Sequence, residues 1–435
     1  MNKLALHWKI LIGMGLGLVV GIAVNLSGDT LTADLDPDGL IAGAVGFVVK
    51  LNSFIGQLFI RTLRFIAVPI VLFSLIAGVS NVRDLRKLSR VGGKTIGIYL
   101  TTTAIAITLG LVLVIVFQPG ASVDEEVRNA LGAEYAAEAS AKIQRAQSPD
   151  VWQTVLNIVP ENPFEALAEA KMLQVVFLAL MIGILLTVIP TDKSAGVIRL
   201  ADAMSDVFIA FVNFIMALAP YAVFALIADV ISKLGFDVLV ALLAYSVVVV
   251  VGLLTLILGV YPLVLRLFTR VGYRFFFRGI ARALLLAFSS SSSAATLPVT
   301  LKVAQERLGI SEEVASFVLP VGATINMDGT ALYQGVAAVF IAQLYGMDLT
   351  LAQQLTIVLT ATLASIGTAG VPGVGMIMLV IVLESVGIPL EGIAVILGVD
   401  RLLDMCRTCA NVTGDCMVSC VVASTEGEIE LPAAA

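Results

Sequence analysis

The feature that most constrains this chain is a succession of apolar stretches, each about as long as a membrane-spanning helix. A helix needs about 20 apolar residues to cross the hydrocarbon core of a bilayer. Of the 435 residues, 59% are hydrophobic and 13% are charged, whereas soluble domains carry about 25% charged residues. This composition excludes a soluble enzyme, a nucleic-acid-binding protein and a disordered chain, and it predicts an all-α polytopic membrane protein. The eight unbroken stretches lie at 10–26, 42–80, 95–117, 172–189, 204–232, 237–265, 314–346 and 386–424.

Two further apolar stretches are interrupted at their centres. The stretch 283–301 contains five consecutive serines at 289–293, and 351–383 contains four glycines and a proline within 365–375. Each half is too short to cross about 30 Å of hydrocarbon, and irregular backbone at that depth must be buried in protein or line a cavity. We therefore expect two re-entrant helical hairpins arranged as inverted repeats, as in secondary transporters. The alternative is a kink or a close helix contact, for which a single glycine would suffice.

The charged residues outside the apolar stretches predict how the chain is oriented. Basic residues dominate the segments 83–94 and 266–282, while acidic residues dominate 29–38 and 124–138. Because lysine and arginine favour the cytoplasmic side, this alternation predicts eight transmembrane helices with both termini in the cytoplasm. The long polar insertion at 118–171 would then lie outside, and each hairpin would enter and leave on one side.

The last apolar stretch carries a polar stripe on one face of its predicted helix. Charged groups inside a membrane cost at least about 2.5–3.5 kcal/mol each on insertion scales, so they face a cavity, a partner or a ligand. Arg407 offers a planar fork for a carboxylate, Asp404 can hold an ammonium, and Asn411 can donate to a second carboxylate. This set fits aspartate or glutamate, and the alternative is a structural ion pair between Asp404 and Arg407. The stripe consists of Asp404, Arg407, Thr408, Asn411 and Asp415, at helical spacing.

A second group of oxygen-bearing residues predicts cation sites. Asp328 and Asp415 are hard oxygen donors without a basic partner in the pattern, so a bound cation is their natural counter-charge. Together with Asn326 and the polar run at 99–103 they would form a sodium cage, which carbonyls of unwound backbone can complete. Taken alone, the threonines of that run are typical of side chains that bond back to their own helix.

Four motifs resemble one family of membrane transporters. They are SSSSSAATLPVT at 289–300, GATINMDGTALYQG at 322–335, ASIGTAGVPGVG at 364–375 and DMCRTCANVTGD at 404–415. In this order they resemble the sodium:dicarboxylate symporter family, and within it the prokaryotic sodium-coupled glutamate/aspartate transporters, which are homologues of excitatory amino-acid transporters. The likeness extends over nearly the whole chain.

The resemblance implies a homotrimeric, elevator-type transporter of the plasma membrane rather than an enzyme. A scaffold would comprise residues 1–94 and 172–235, and a transport domain comprising 95–117 and 236–425 would move against it. The second hairpin would be the outer gate. The partners would be the lipid bilayer, an acidic amino acid and sodium, with no nucleic acid. The remaining segments would be an extracellular loop at 118–171 and a cytoplasmic tail at 426–435.

The resemblance also implies ligands for an acidic amino acid and for three sodium ions. Substrate contacts would come from Ser291, Ser292, Ser293, Thr330, Val371, Pro372, Gly373, Val374, Gly375, Asp404, Arg407, Thr408 and Asn411. One sodium site would use Gly322, Asn326, Asn411 and Asp415. A second would use carbonyls of Thr324, Ser365, Ile366 and Thr368. A third would use Tyr99, Thr102, Thr103, Asn326 and Asp328.

This chain departs from the family pattern at several positions. Relatives often have an extra arginine near the site, at the position of either Ser291 or Met405, and this chain has none at either. Ala294 replaces a serine that is common in the motif. Gln334 stands where proton- and potassium-coupled members have a glutamate, which argues against proton co-transport and potassium counter-transport.

Other functions remain as alternatives at this point. A C4-dicarboxylate has no ammonium, so Asp404 would face a dianion, and a neutral amino acid would leave Arg407 without a carboxylate. A membrane enzyme with a serine nucleophile would need a general base, but the one histidine is His7, far from the serine run. A channel is a further alternative, but no motif in the sequence points to a channel specifically. Aspartate and glutamate differ by one methylene and are not distinguished.

Overall fold

The apolar stretches fold into helices throughout the part of the chain that the structure describes. The computed structural model describes residues 6–27, 40–80, 89–123, 156, 159–169, 171–234, 237–366, 370 and 372–430. Within these ranges no β-strand forms, and the one extended pairing is an isolated antiparallel bridge between Ile310 and Ile429. The predicted all-α class is therefore confirmed for the described residues.

The helices follow the order of the apolar stretches. Short 3₁₀ turns cover Pro119–Ser122 and Leu390–Gly392, and a π-helical turn covers Leu256–Val260. The α-helices are α1 Leu6–Ser27, α2 Leu40–Ser80, α3 Ser89–Phe117, α4 Pro163–Ala168, α5 Met172–Val188, α6 Thr191–Leu234, α7 Asp237–Thr255, α8 Tyr261–Phe268, α9 Tyr273–Ser290, α10 Ser293–Glu306, α11 Glu312–Ile325, α12 Asp328–Leu344, α13 Leu351–Ile366, α14 Val374–Val386 and α15 Ile393–Glu426.

Two helical segments among the described residues are long and apolar enough to cross a membrane unaided. They are Arg90–Ala121, with a mean hydropathy of 2.5, and Leu239–Phe268, with a mean hydropathy of 2.7. Thr191–Val212 and Ala217–Asp229, which meet at a bend of 49°, make a third if they form one span. Shorter apolar segments occur in α1, α2, α5, α13 and α14. The total of eight spans and two re-entrant hairpins stays a prediction, as does the orientation.

Helix α1 packs closely along α6 because glycines line the contact. Gly13, Gly17 and Gly21 recur every four residues and face backbone or branched side chains of α6. A Cβ atom at Gly17 would lie 2.7 Å from the carbonyl oxygen of Phe224. Small residues let helix backbones approach inside a membrane, where close packing is a main source of association. Helix α2 packs against the same α6 and also against α5.

Helix α12 is the centre of a second set of contacts. It packs against α3, α7, α13 and α15, and almost every one of its residues is buried. A helix that is enclosed on all sides must place any polar residue against a partner. Asp328 of α12 accordingly contacts Thr103 of α3, and Thr330 contacts Asn411 of α15. The division into scaffold and transport domain stays a prediction.

The break expected in the serine run separates α9 from α10. Ser291 ends α9 with a φ of 52°, in the left-handed region. The Oγ of Ser292 accepts a hydrogen bond from the Ala295 N–H at 3.1 Å, which caps the first turn of α10. The two helices pack against each other, so the chain reverses at the serines.

The second interrupted stretch forms α13 and α14, which also pack against each other. Gly373 precedes α14 with a φ of 82°, a conformation that glycine adopts without steric cost. Residues 367–369 and 371 lie outside the described residues, so the predicted contacts of Thr368 and Val371 lie outside them as well.

One expectation was wrong, because the stretch 314–346 is not one continuous helix. Helix α11 ends at Ile325 and α12 begins at Asp328, which leaves Asn326 and Met327 between them. The Nδ2 of Asn326 donates to the Oδ1 of Asp415 on α15 at 2.8 Å. The break thus turns a polar side chain towards a carboxylate on a distant element. The break coincides with the polar residues Asn326 and Asp328, which interrupt the apolar stretch.

Candidate functional site

The charged residues of α15 form one buried ion cluster. Arg407 is 0% exposed. Its Nη1 lies 2.8 Å from the Oδ1 of Asp400, and its Nη2 lies 2.8 Å from the Oδ1 of Asp404. The ion pair that the sequence left open is therefore present. It occupies two of the three guanidinium nitrogens, while the Nε has no hydrogen-bond partner among the described residues.

An aromatic ring and a glycine border this guanidinium. The Cζ of Arg407 lies 3.8 Å from the centroid of the Tyr333 ring, which is a cation–π contact. A Cβ atom at Gly375 would lie 3.7 Å from the Cζ of Arg407 and 2.9 Å from the Cγ2 of Thr330. The start of α14 therefore lies against Arg407, and Gly375 leaves the space that this approach needs.

The sequence analysis missed three members of the cluster. Asp400 lies four residues before Asp404 on the same face of α15, so extending the polar stripe by one turn would have found it. Arg401 is 9% exposed and its Nη1 lies 3.5 Å from the Oδ2 of Asp404. Tyr333 comes from α12, and no spacing within α15 points to it. Cross-element contacts of this kind are visible only in the folded chain.

The two interrupted stretches meet at their tips. The carbonyl of Gly370 accepts a hydrogen bond from the Oγ of Ser292 at 2.6 Å and another from the N–H of Ala294 at 3.2 Å. A Cβ atom at Gly370 would also lie 3.3 Å from the Cβ of Ser293. The buried Oγ of Ser291 has no partner within the described ranges. Hydroxyl groups of one tip therefore lie against the backbone of the other.

The second tip also contacts the ion cluster. The N–H of Gly373 donates to the Oδ2 of Asp404 at 3.2 Å. The Nε2 of Gln334 donates to the carbonyl of Gly375 at 3.2 Å. Gly373, just before α14, and Gly375, in its first turn, are thus held by one side chain from α15 and one from α12. Val374 is buried and Pro372 is half-buried in this arrangement.

Asn411 joins the ion cluster to the break between α11 and α12. Its Oδ1 accepts a hydrogen bond from the N–H of Gly329 at 2.8 Å, and its Nδ2 lies 3.3 Å from the Oγ1 of Thr330. The hydroxyl of Thr408 instead bonds back to the carbonyl of Asp404 at 2.8 Å. Asn411 therefore faces the start of α12, one turn from Arg407 and one turn from Asp415.

Asp328 and Asp415 lie in a separate pocket of oxygen atoms. The Oγ1 of Thr103 donates to the Oδ1 of Asp328 at 2.6 Å, and the hydroxyl of Tyr261 donates to its Oδ2 at 3.0 Å. Asp415 accepts from Asn326 and has no lysine or arginine partner among the described residues. Tyr261 was not predicted, and it directly follows the π-helical turn, a feature frequent at functional sites.

The donor set of this pocket fits a hard cation. The Oδ1 of Asn326 is buried and has no hydrogen-bond partner in the described part of the chain. A Cβ atom at Gly322 would meet the Oδ1 of Asp415 and the hydroxyl of Tyr99. Carboxylate, amide, hydroxyl and carbonyl oxygens are the ligands that hard cations prefer. Two buried carboxylates and an amide oxygen without a hydrogen-bond partner in the described residues would therefore favour a small cation.

The remaining predicted cation ligands lie in α3, near the end of α11 and at the end of α13. The hydroxyl of Thr102 donates to the carbonyl of Tyr99 at 3.1 Å, a bond back to its own helix. Thr324 is exposed and Ser365 is buried, and both hydroxyls bond to their own helices. A Cβ atom at Gly370 would lie 2.8 Å from the carbonyl oxygen of Ala323, so the second tip reaches the end of α11. Ile366 is the last residue of α13.

A chain whose described part is helical and apolar, and which buries an ion cluster and a group of carboxylate, amide and hydroxyl oxygens beside broken helices, has the features of a membrane transport protein. The model of the sodium:dicarboxylate symporter family matches residues 6–425, and the chain belongs to this family. The family comprises transporters, not enzymes. The resemblance seen in the four motifs is thereby confirmed.

Individual proteins similar to this chain are named for the transport of glutamate, aspartate or C4-dicarboxylates. The chain is 36% identical over 430 residues to the proton/sodium-glutamate symport protein of Bacillus caldotenax, covering 98% of this chain and 96% of that protein. It is 36% identical over 429 residues to the proton/glutamate-aspartate symporter of Escherichia coli, covering 98% and 94%. It is 32% identical over 411 residues to the C4-dicarboxylate transport protein of Bacillus subtilis, covering 93% and 94%.

Proposed function

We propose that this protein is a symporter that couples sodium influx to the uptake of aspartate or glutamate. One observation carries the proposal: a charge-paired cluster around Arg407 lies two helical turns along α15 from Asp415, a carboxylate without a lysine or arginine partner in the described part of the chain, and Asn411, midway between them, contacts the start of α12. A transporter that recognises an amino acid and a cation together needs these two chemistries side by side. The relatives named for glutamate and aspartate transport support the substrate class.

The substrate would replace contacts that the protein makes with itself. Its ammonium would take the oxygen of Asp404 that Arg407 now holds at 2.8 Å. The freed nitrogen of Arg407 and its unpaired Nε would then bind a carboxylate as a fork, while Asp400 keeps the Nη1. The number of ion contacts would not fall, so the guanidinium stays paired in both states. Serine hydroxyls at the first tip and the Asn411 amide would hold the second carboxylate.

Sodium would act through the break between α11 and α12. Cations bound by Asp328 and by Asp415 with Asn326 would fix the two helix ends that flank the break. Gly329 and Thr330, the first residues beyond Asp328, already contact Asn411. Ordering this segment with sodium would place Thr330 and Asn411 for the substrate. The three sodium sites implied by the family pattern are part of this proposal.

The tip between α13 and α14 would be the gate on the outer side. It contacts Asp404 through Gly373 and the serine tip through Gly370. Movement of this tip away from the site would therefore expose both Asp404 and the serines. A homotrimer, an elevator movement of the transport domain against the scaffold, and cytoplasmic termini complete the proposal. The family and the apolar helices support a multi-pass protein of the plasma membrane.

Gln334 separates sodium coupling from proton coupling. Relatives are named for proton transport as well as for sodium transport. At this buried position an amide cannot take up or release a proton, and it donates to the backbone of Gly375. We therefore expect uptake to follow a sodium gradient and to be indifferent to an imposed pH gradient at constant membrane potential.

The test is a binding and uptake assay on the purified protein in liposomes. Aspartate, glutamate, succinate and serine are compared in sodium and in choline buffer. We expect tight, steeply sodium-dependent binding of an acidic amino acid and much weaker binding of succinate and serine. Equal aspartate affinity in the two buffers would refute sodium coupling. Preference for succinate would replace the amino acid with a C4-dicarboxylate.

A further inference from the structure

Arg401 is a second buried arginine beside the substrate site. It is 9% exposed, and its Nη1 lies 3.5 Å from the Oδ2 of Asp404. Its Nε is buried without a hydrogen-bond partner among the residues that the structure describes. A guanidinium is costly to bury unless its donors are satisfied. The unpaired Nε therefore leaves this arginine with binding capacity that the protein itself does not use.

The charges of the cluster require a second cation. Asp400, Asp404 and Arg407 together carry a net charge of -1, by counting one charge each. An acidic amino acid carries two carboxylates and one ammonium, so it would bring this buried group to -2. With Arg401 included, the four side chains carry a net charge of zero before the substrate enters. An anionic ligand is less costly to bury against a neutral cluster than against an acidic one.

The two arginines approach different oxygens of Asp404. Arg407 contacts the Oδ1, while Arg401 and the N–H of Gly373 contact the Oδ2. An ammonium bound to Asp404 would thus lie between the guanidinium groups of Arg407 and Arg401. The ammonium of aspartate or glutamate likewise stands on a carbon between two carboxylate-bearing arms. The two arginines beside Asp404 therefore complement the two carboxylates beside the ammonium of the substrate.

We propose that Arg401 binds substrate: it pairs with Asp404 in the substrate-free site and with one carboxylate of the acidic amino acid once Asp404 has taken the ammonium. This inference rests on the proposed function. It gives the chain a second site cation three residues before Asp404, although Ser291 and Met405 are not arginines.

The test compares Arg401→Gln and Arg401→Lys in the purified full-length protein, with Arg282→Gln as the matched control. Arg282 is an exposed arginine of α9. Aspartate affinity is measured at saturating sodium, and sodium affinity is measured separately from thermal stabilisation without substrate. We expect Arg401→Gln to weaken aspartate binding by about 10- to 100-fold, the loss of a charge-assisted contact. Sodium stabilisation should not change, Arg401→Lys should recover part of the affinity, and Arg282→Gln should behave as the unaltered protein.

Two results would overturn the inference. Unchanged aspartate affinity in Arg401→Gln would show that the arginine does not meet the substrate. A parallel loss of sodium and aspartate affinity would show that Arg401 only positions α15. The proposed function is tested first by the unaltered protein: if this protein does not bind aspartate in sodium, both proposals fail. If it binds while Arg401→Gln binds equally well, only the inference about Arg401 fails.

Discussion

At the residue scale, the contacts of Arg407 are compatible with both an ion pair and the proposed substrate-binding role. A guanidinium left alone in a buried site would carry a large desolvation cost. Asp400 and Asp404 remove that cost, each at 2.8 Å, and the Nε remains unpaired. The arrangement keeps the cation buried and oriented, and in the proposed binding mode the fork would open when Asp404 changes partner.

Arg407→Cys is therefore expected to abolish binding of acidic amino acids. The substitution removes the fork and leaves Asp400 and Asp404 without their main cation, so aspartate affinity should fall about 100-fold or more. Isothermal titration in sodium buffer measures it. Arg407→Lys, which keeps the charge but not the planar fork, should lose less. Aspartate affinity that survives in Arg407→Cys would disprove the assigned role.

A substitution at Gly322 tests the proposed cation site separately from the substrate site. A Cβ atom there would overlap with the Oδ1 of Asp415 and the Tyr99 hydroxyl and would lie 2.8 Å from the Cγ of Asp415. Gly322→Ala should weaken sodium binding roughly tenfold, as expected for overpacking of about 1–3 kcal/mol. Sodium-dependent thermal stabilisation measures this. Gly97→Ala is the control, because a Cβ atom at Gly97 meets nothing within 4 Å. Equal sodium midpoints in both variants would contradict a cation site at Gly322.

At the element scale, sequence patterns predicted helix breaks where the chain itself carries the cause. The serine run supplies its own cap through Ser292, and glycine permits the φ of 82° at Gly373. The break at Asn326 has its cause in Asp415, 89 residues further along the chain. Asp400 was within reach of the helical periodicity. Arg401, three residues before Asp404 on the same helix, was within reach as well. Tyr261 and Tyr333 were not, because their roles arise only when separate helices meet.

The glycine row of α1 was also missed, and it makes a prediction about packing. Gly17→Val would place side-chain carbons against the Phe224 backbone of α6, which should destabilise the folded protein by about 1–3 kcal/mol. Thermal unfolding in detergent measures the loss. Gly15→Val, in the same helix, is the matched control because a Cβ atom at Gly15 meets nothing within 4 Å. If both variants unfold at the same temperature, the contact between α1 and α6 does not depend on these glycines.

At the scale of the whole molecule, the end of α15 fastens distant parts of the chain together. The N–H of Glu430 donates to the carbonyl of Gly309 at 2.7 Å, and the N–H of Ser311 donates to the carbonyl of Glu428 at 3.0 Å. Glu426 forms ion pairs with Arg90 and Lys94 at the start of α3. The loop between α10 and α11, the start of α3 and the end of α15 are therefore held at one end of the molecule. In the proposed elevator movement, these contacts would let the helices that they join move as one body.

Glu426→Gln tests the electrostatic part of this tie. Arg90 and Lys94 lower the pKa of the Glu426 carboxyl from 4.5 to about 2. A carboxyl whose pKa is lower in the folded protein stabilises it fully above the unfolded value, and this contribution disappears as the pH falls from about 4.5 towards 2. The variant should unfold at a lower temperature than the unaltered protein at neutral pH, and the difference should shrink in acid and in high salt, since Arg90 is exposed. Glu430→Gln, an exposed carboxylate of the same tail, should show no such difference. A gap in unfolding temperature that is as large at pH 2 and in 1 M salt as at neutral pH would mean that Glu426 acts through packing instead of charge.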